Sequence, residues 1–111
     1  MKLWMSLLFV SLLVVSVAVF PSAGGNATKG KEVYTNHCAM CHGPSGEGKE
    51  AIGKMFKVTM AHLGSKEVQA KSDDVLRKDI LDGNGKMKPV KLSAQDANDV
   101  IAYLRTLGKK S

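Results

Sequence analysis

Aromatic residues are scarce in this chain, cysteine is nearly absent, and no stretch alternates apolar and polar residues for the length of a strand. Aromatic side chains make up 5% of the 111 residues, which leaves the helices a thin core of their own. It also argues against a nucleic-acid binder that stacks bases on exposed rings. With only two cysteines, Cys38 and Cys41, there is no multi-disulfide framework of the kind that holds small secreted domains together. No Ser/His/Asp set, phosphate-cradling glycine loop or paired-acid constellation is present, so hydrolytic and phosphoryl-transfer chemistry lack their residues. The absence of strand alternation points to an all-α fold.

A long apolar run opens the chain. Lys2 precedes a nearly unbroken stretch from Leu3 to Phe20, followed by the small residues Ser22, Ala23, Gly24 and Gly25. A basic start, an apolar middle and small residues at the end describe a secretory signal peptide. Ser22 with Gly24, or Ala23 with Gly25, supplies the small side chains a signal peptidase inspects. The run also matches the shortest membrane spans, roughly 17–25 residues, so retention as an N-terminal anchor is the alternative. Residues 1–25 are therefore read as a leader and 26–111 as one domain working outside the cytoplasm, in the periplasm or an equivalent compartment. Lys2 is the only charged residue before Lys29, so nearly all of the net charge of +6 belongs to that domain.

The cysteines sit in Cys38-Ala39-Met40-Cys41-His42. A Cys-x-x-Cys-His run is the attachment signature of c-type haem. Two thiols three positions apart span the two vinyl groups on one side of the porphyrin, and the adjacent imidazole is then placed to coordinate the iron. A zinc site would want four protein ligands, and His37 and His62 lie at no usual spacing. A thioredoxin-like pair would want a βαβ context, and a plain disulfide would leave His42 unexplained.

His42 fills one axial position of the iron, and the residue opposite separates electron transfer from ligand chemistry. Of the six methionines, Met1 and Met5 belong to the leader, and Met40 lies inside the attachment loop. Met87 is the best placed, in Asp82-Gly83-Asn84-Gly85-Lys86-Met87-Lys88-Pro89, where glycines permit a tight path onto a flat ring. Met60 is the reserve, with Met55 behind it. His62 would give a bis-histidine site, and His37 is too near the attachment loop to reach across. Lys86 and Lys88 flank Met87 and are positioned to replace it at high pH if the loop opens.

Three helices are legible. The first spans about 28–36, with Thr28 as N-cap. The second spans about 72–81, with Ser72 as cap, Asp73 and Asp74 in the first turn, and Val75, Leu76 and Ile80 as its apolar face. In the third, Ser93 to Asp96 resembles a capping box, Ala97, Val100, Ile101, Leu104 and Leu107 recur at helical spacing, and Gly108 supplies the stop. Gly30, without a side chain, lets the first helix approach the third beside Tyr103. The cofactor makes up the missing apolar mass, so the apoprotein is expected to be largely unfolded.

On Gly30-Lys31-Glu32-Val33-Tyr34 with the attachment motif, Gly83-Asn84-Gly85-Lys86-Met87, and Asp99-Val100-Ile101-Ala102-Tyr103-Leu104-Arg105, the chain resembles the small monohaem class I cytochrome c family over essentially all of residues 26–111. The resemblance implies that the first and last helices cross at Gly30, Tyr34 and Tyr103. It implies one haem c bound through Cys38 and Cys41, with His42 and Met87 as axial ligands. It also implies a carrier that shuttles single electrons between redox partners and is not an enzyme. The family often has Pro directly after the distal Met, where Lys88 stands here. It often carries Gly-Pro-x-Leu after the motif, where this chain has Ala51 to Met60; the hydrogen-bond partner of His42 therefore stays open, with Pro44 nearby.

Six lysines, Lys49, Lys54, Lys57, Lys86, Lys88 and Lys91, fall in segments expected to border the haem. Such a patch would steer docking to redox partners with acidic surfaces. The rivals are a five-coordinate haem protein that binds a gas or reduces peroxide, which needs Met87 off the iron, and a docking subunit of a larger oxidoreductase.

Overall fold

Serine and asparagine side chains start the longer helices. The structure, a computed structural model, describes residues 14–15 and 24–109; the leader expectation lies largely outside the described residues. The Asn26 side chain accepts from the N–H groups of Thr28 (2.9 Å) and Lys29 (3.1 Å) and opens α1, Ala27–His37. Thr28 is therefore inside the helix and is not its cap. Asn26 wins because its backbone is extended, as an N-cap requires, while Thr28 is already helical. Ser72 Oγ accepts from Val75 N–H (3.2 Å) at the start of α5, Asp73–Asp82, and Ser93 Oγ from Asp96 N–H (3.0 Å) at the start of α6, Ala94–Gly108. Both caps are those the sequence indicates. Gly108 does not stop α6, which runs through it to a cap at Lys109.

Between them lie three short helices: α2 (Ala39–His42), α3 (Glu50–Phe56) and α4 (Lys66–Gln69). No strand occurs among the described residues, only one isolated bridge between Asn84 and Met87. The fold is all-α, as the sequence patterning indicates.

The core is built on the crossing of α1 and α6. A Cβ placed on Gly30 would lie 1.9 Å from the Asp99 carbonyl oxygen and 2.9 Å from Tyr103 Cβ, so only glycine allows this approach. One turn further on, Tyr34 packs its ring against Tyr103 with centroids 5.2 Å apart and planes tilted by 53°, a geometry that adds to the area buried. Val100, Ile101, Leu104 and Leu107 of α6 join Leu76 and Ile80 of α5 and Val68 of α4 in one apolar cluster. Val75 does not belong to it. It is 45% exposed, because only residues three and four apart share a helical face, and that face carries Leu76 and Ile80.

Polar side chains tie the short helices to α6. Gln69 Nε2 donates to the carbonyls of Leu63 and Leu104, each at 2.9 Å. Arg105 donates to the Gln69 carbonyl (2.9 Å), the Lys71 carbonyl (2.7 Å) and the Asp73 carboxylate (2.7 Å), fastening the α4–α5 junction.

Candidate functional site

The attachment motif forms one extra helical turn at the end of α1. Cys38 departs from helical geometry at φ −120°, yet its N–H still donates to the Tyr34 carbonyl (2.8 Å). The chain then re-enters a helix, with His42 N–H on the Cys38 carbonyl (2.9 Å) and Gly43 N–H on that of Ala39 (2.9 Å). The break at Cys38 separates α2 from α1 while keeping Cys38, Cys41 and His42 on a single turn.

The following loop folds back over that turn. Gly48 N–H donates to the His42 carbonyl (2.7 Å) and Lys49 N–H to that of Cys41 (3.1 Å), while Leu63 N–H reaches the Gly46 carbonyl (2.8 Å). The buried Tyr34 hydroxyl donates to the Gly43 carbonyl. Sequence reasoning missed this tether, although Tyr34 lies four residues before Cys38, one helical turn below it on the same side. Burial, followed by the electrostatic influence of Cys38, pushes the Tyr34 phenol up to about 12.

The chemical state of the motif suits a thiol-attached, imidazole-ligated group. Cys38 and Cys41 are both free and half-buried. Burial first, and Cys41 second, push the Cys38 thiol up to about 11. Burial lowers the His42 pKa, favouring the neutral imidazole that can ligate a metal. His42 Nδ1 is buried with no hydrogen-bond partner, and Pro44 is exposed. Two free thiols and a neutral, desolvated imidazole on one turn fit covalent haem c.

Met87 comes next. Asn84 N–H donates to the Met87 carbonyl (3.0 Å) and Met87 N–H returns to that of Asn84 (2.9 Å), closing a two-residue turn over Gly85 and Lys86. Gly85 has φ +58° and Lys86 does not share it, the pattern of a turn with glycine at its first central position. Val90 N–H donates to the Ile80 carbonyl (2.8 Å) and pins the exit to α5. Met87 and Cys38 are both partly buried against the same apolar cluster, with Ala39, Leu63 and Leu81.

The other candidates lie elsewhere. Met60 packs over Gly48 and Gly53 and, with Lys54, Lys57 and Val58, lines an open cleft of about 550 Å³. Met55 is 65% exposed. His62 is exposed, its Nδ1 accepting from Gly64 N–H (2.9 Å), and His37 is exposed too. Lys49, Lys54, Lys57, Lys86, Lys88 and Lys91 are all exposed; Lys54 pairs with Glu50 at 3.2 Å. No described helix is long and apolar enough to cross a membrane.

Comparison with known proteins agrees with this geometry. The chain is 35% identical over 89 residues to cytochrome c-554(547) of Halothiobacillus neapolitanus, covering 75% of this chain and 98% of that protein. A shorter stretch of 33 residues is 46% identical to thiosulfate dehydrogenase of Stutzerimonas stutzeri (strain A1501), spanning 30% of this chain and 11% of that enzyme. Among solved structures, the KustC0563 c-type cytochrome superposes with a TM-score of 0.61 at 26% identity, covering 70% of this chain and 95% of that one. The cytochrome c family matches residues 27–108, the whole span from the first turn of α1 to the end of α6. With the helix crossing and the two thiols beside a neutral imidazole already in place, the chain belongs to the cytochrome c family and carries covalently attached haem c.

Proposed function

We propose that this protein is a single-electron carrier working outside the cytoplasm, with Cys38 and Cys41 as the thioether sites and His42 and Met87 as the axial ligands. The observation that carries the reading is the shared cluster. The attachment turn and the hairpin bearing Met87 are anchored to one apolar core through Cys38 and Met87, while Met55, His37 and His62 are exposed.

Bound haem c supplies an iron that alternates between ferric and ferrous, one electron at a time. The chain's residues govern the rest. Cys38 and Cys41 would hold the haem through two thioether bonds, one from each thiol. Neutral His42 offers a ring nitrogen, and Met87 a soft thioether of the kind that raises the reduction potential. The two hydrogen bonds of the Asn84–Met87 turn and the Val90–Ile80 bond hold Met87 in a stiff frame, so little rearranges between redox states. With His42 and Met87 both holding the iron, the haem would offer no open position to a substrate. The exposed lysines favour redox partners with acidic docking surfaces and a salt-sensitive encounter, and the leader delivers the chain to its compartment.

The test is optical. Holoprotein made with a c-type maturation system is expected to show a ferric thioether-to-iron charge-transfer band that Met87→Ala abolishes. Ferrous parent protein is expected to ignore carbon monoxide. Ready carbon monoxide binding by the parent would instead mean an open sixth position and a gas-binding or peroxide-reducing role.

A further inference from the structure

Asp99 is the only buried charged side chain among the described residues, 1% exposed in the middle of α6. It has no cationic partner in any ion pair the described residues make. Its Oδ1 accepts from the backbone nitrogen of Asn26 at 2.7 Å and from Gln95 Nε2 at 2.8 Å. Both donors are neutral. A carboxylate held by neutral donors alone, as here, gains from an opposite charge placed beside it.

Such a charge lies in the chain's own chemistry. Gly25 runs directly over α6: a Cβ there would lie 2.2 Å from Asp99 N and 2.3 Å from the Asn98 carbonyl carbon. Ala23 and Gly25 are the two small residues, two apart, that a signal peptidase requires ahead of its cut. We propose that the leader is removed between Gly25 and Asn26, and that the new α-ammonium of Asn26 forms a partly buried ion pair with Asp99. Water hydrolyses the Gly25–Asn26 peptide bond; Gly25 departs as a carboxylate, and the Asn26 nitrogen takes up protons to become the ammonium. That nitrogen is already at hydrogen-bond distance from Asp99. The Asn26 side chain is meanwhile occupied in capping α1 through Thr28 and Lys29, so one residue caps the helix and clamps it to α6. Processing thereby strengthens the α1–α6 crossing on which the attachment turn is built.

The inference rests on the leader being cleaved, and the experiment separates the two. The full chain is expressed in a periplasm with haem maturation and the intact mass of the holoprotein is measured. Two further holoproteins, secreted behind an efficiently cleaved leader, begin at Asn26 and at Ala23. The native product is expected to have the mass of residues 26–111. Asp99→Asn is expected to lower the folding equilibrium constant at least about tenfold in the chain beginning at Asn26 and far less in the one beginning at Ala23. If Asp99→Asn fails to mature, acylation of the α-amine at neutral pH gives the answer: about tenfold slower for the Asn26 start than for the Ala23 start. A different processed start, or equal effects in both chains, would overturn the ion pair. An uncleaved mass would overturn it together with the leader reading.

Discussion

Replacing Gly30 with alanine tests the geometry on which everything else is mounted. In an ordinary exposed helix the change would stabilise the protein by about 1 kcal/mol, because glycine is a poor helix former. Here the added methyl would sit 1.9 Å from the Asp99 carbonyl oxygen and 2.5 Å from its carbon. A carbon–oxygen contact needs roughly 3.3 Å, so α1 and α6 must part by more than about 1 Å. Both obstacles are helix backbone and cannot rotate away. Separation also pulls apart Tyr34 and Tyr103, now 5.2 Å apart, and lengthens the 2.7 Å bond from Asn26 to Asp99. Overpacking of this kind costs about 1–3 kcal/mol, and a backbone clash belongs at or above the upper end. After the propensity gain, Gly30→Ala should destabilise the holoprotein by about 2 kcal/mol. With a slope of roughly 3 kcal/mol/M, the guanidinium midpoint should fall by about 0.7 M, read by far-ultraviolet circular dichroism and haem absorbance together. Lys31→Ala, exposed on the same helix, is the control and should change the midpoint little. A midpoint for Gly30→Ala at or above the parent's would refute the close crossing.

Three further predictions test other parts of the molecule. Lys57 ends α3 at φ 55° and ψ 44°, a conformation costly for a residue with a Cβ; Lys57→Gly should stabilise the holoprotein by about 0.5–1 kcal/mol in the same denaturation assay. Burial raises the Tyr34 phenol from its ordinary value to about 12, so the folded state holds that proton more tightly than the unfolded one. The associated stability is complete below about pH 10 and drains away as pH rises through about 12; ultraviolet phenolate titration should show Tyr34 ionising late, an absorbance Tyr34→Phe removes. Gly85 needs φ +58° but meets nothing within 4 Å where a Cβ would stand. Gly85→Val should therefore weaken the Met87 turn through backbone strain of about 1–2 kcal/mol, seen as a thioether band lost at lower pH than in the parent; an unchanged pH dependence would show that the turn does not control Met87.

Much of the candidate site was legible because its signals are local. Cys38, Cys41 and His42 occupy one turn, and the spacing that bridges two vinyl groups is the spacing a helical turn provides. Ser72 and Ser93 reveal themselves as caps because each reaches an N–H three residues ahead. Gly30 and Tyr34 lie on one face through the same periodicity. The cap of the first helix lies two residues before the one its sequence suggests, because Asn26 and Thr28 both have capping chemistry and only the backbone angle at Asn26 separates them. α3 and α4 escaped because seven and four residues are too few for a periodic pattern to register.

What the sequence determined by itself, then, is the chemistry and the helical frame: the attachment motif, the serine caps, the apolar stripe of α6 and the glycine at its crossing. Each depends on atoms within a turn or two, and such interactions are set before distant segments meet. Tertiary structure alone decided that Val75 faces water, that Gln69 bridges Leu63 and Leu104, that Tyr34 tethers Gly43, and that Asp99 is buried against Asn26. The last contact joins residues 73 apart in sequence. A carboxylate on a helix reads as solvent-facing until the element that covers it is known, and no local pattern records which element that is.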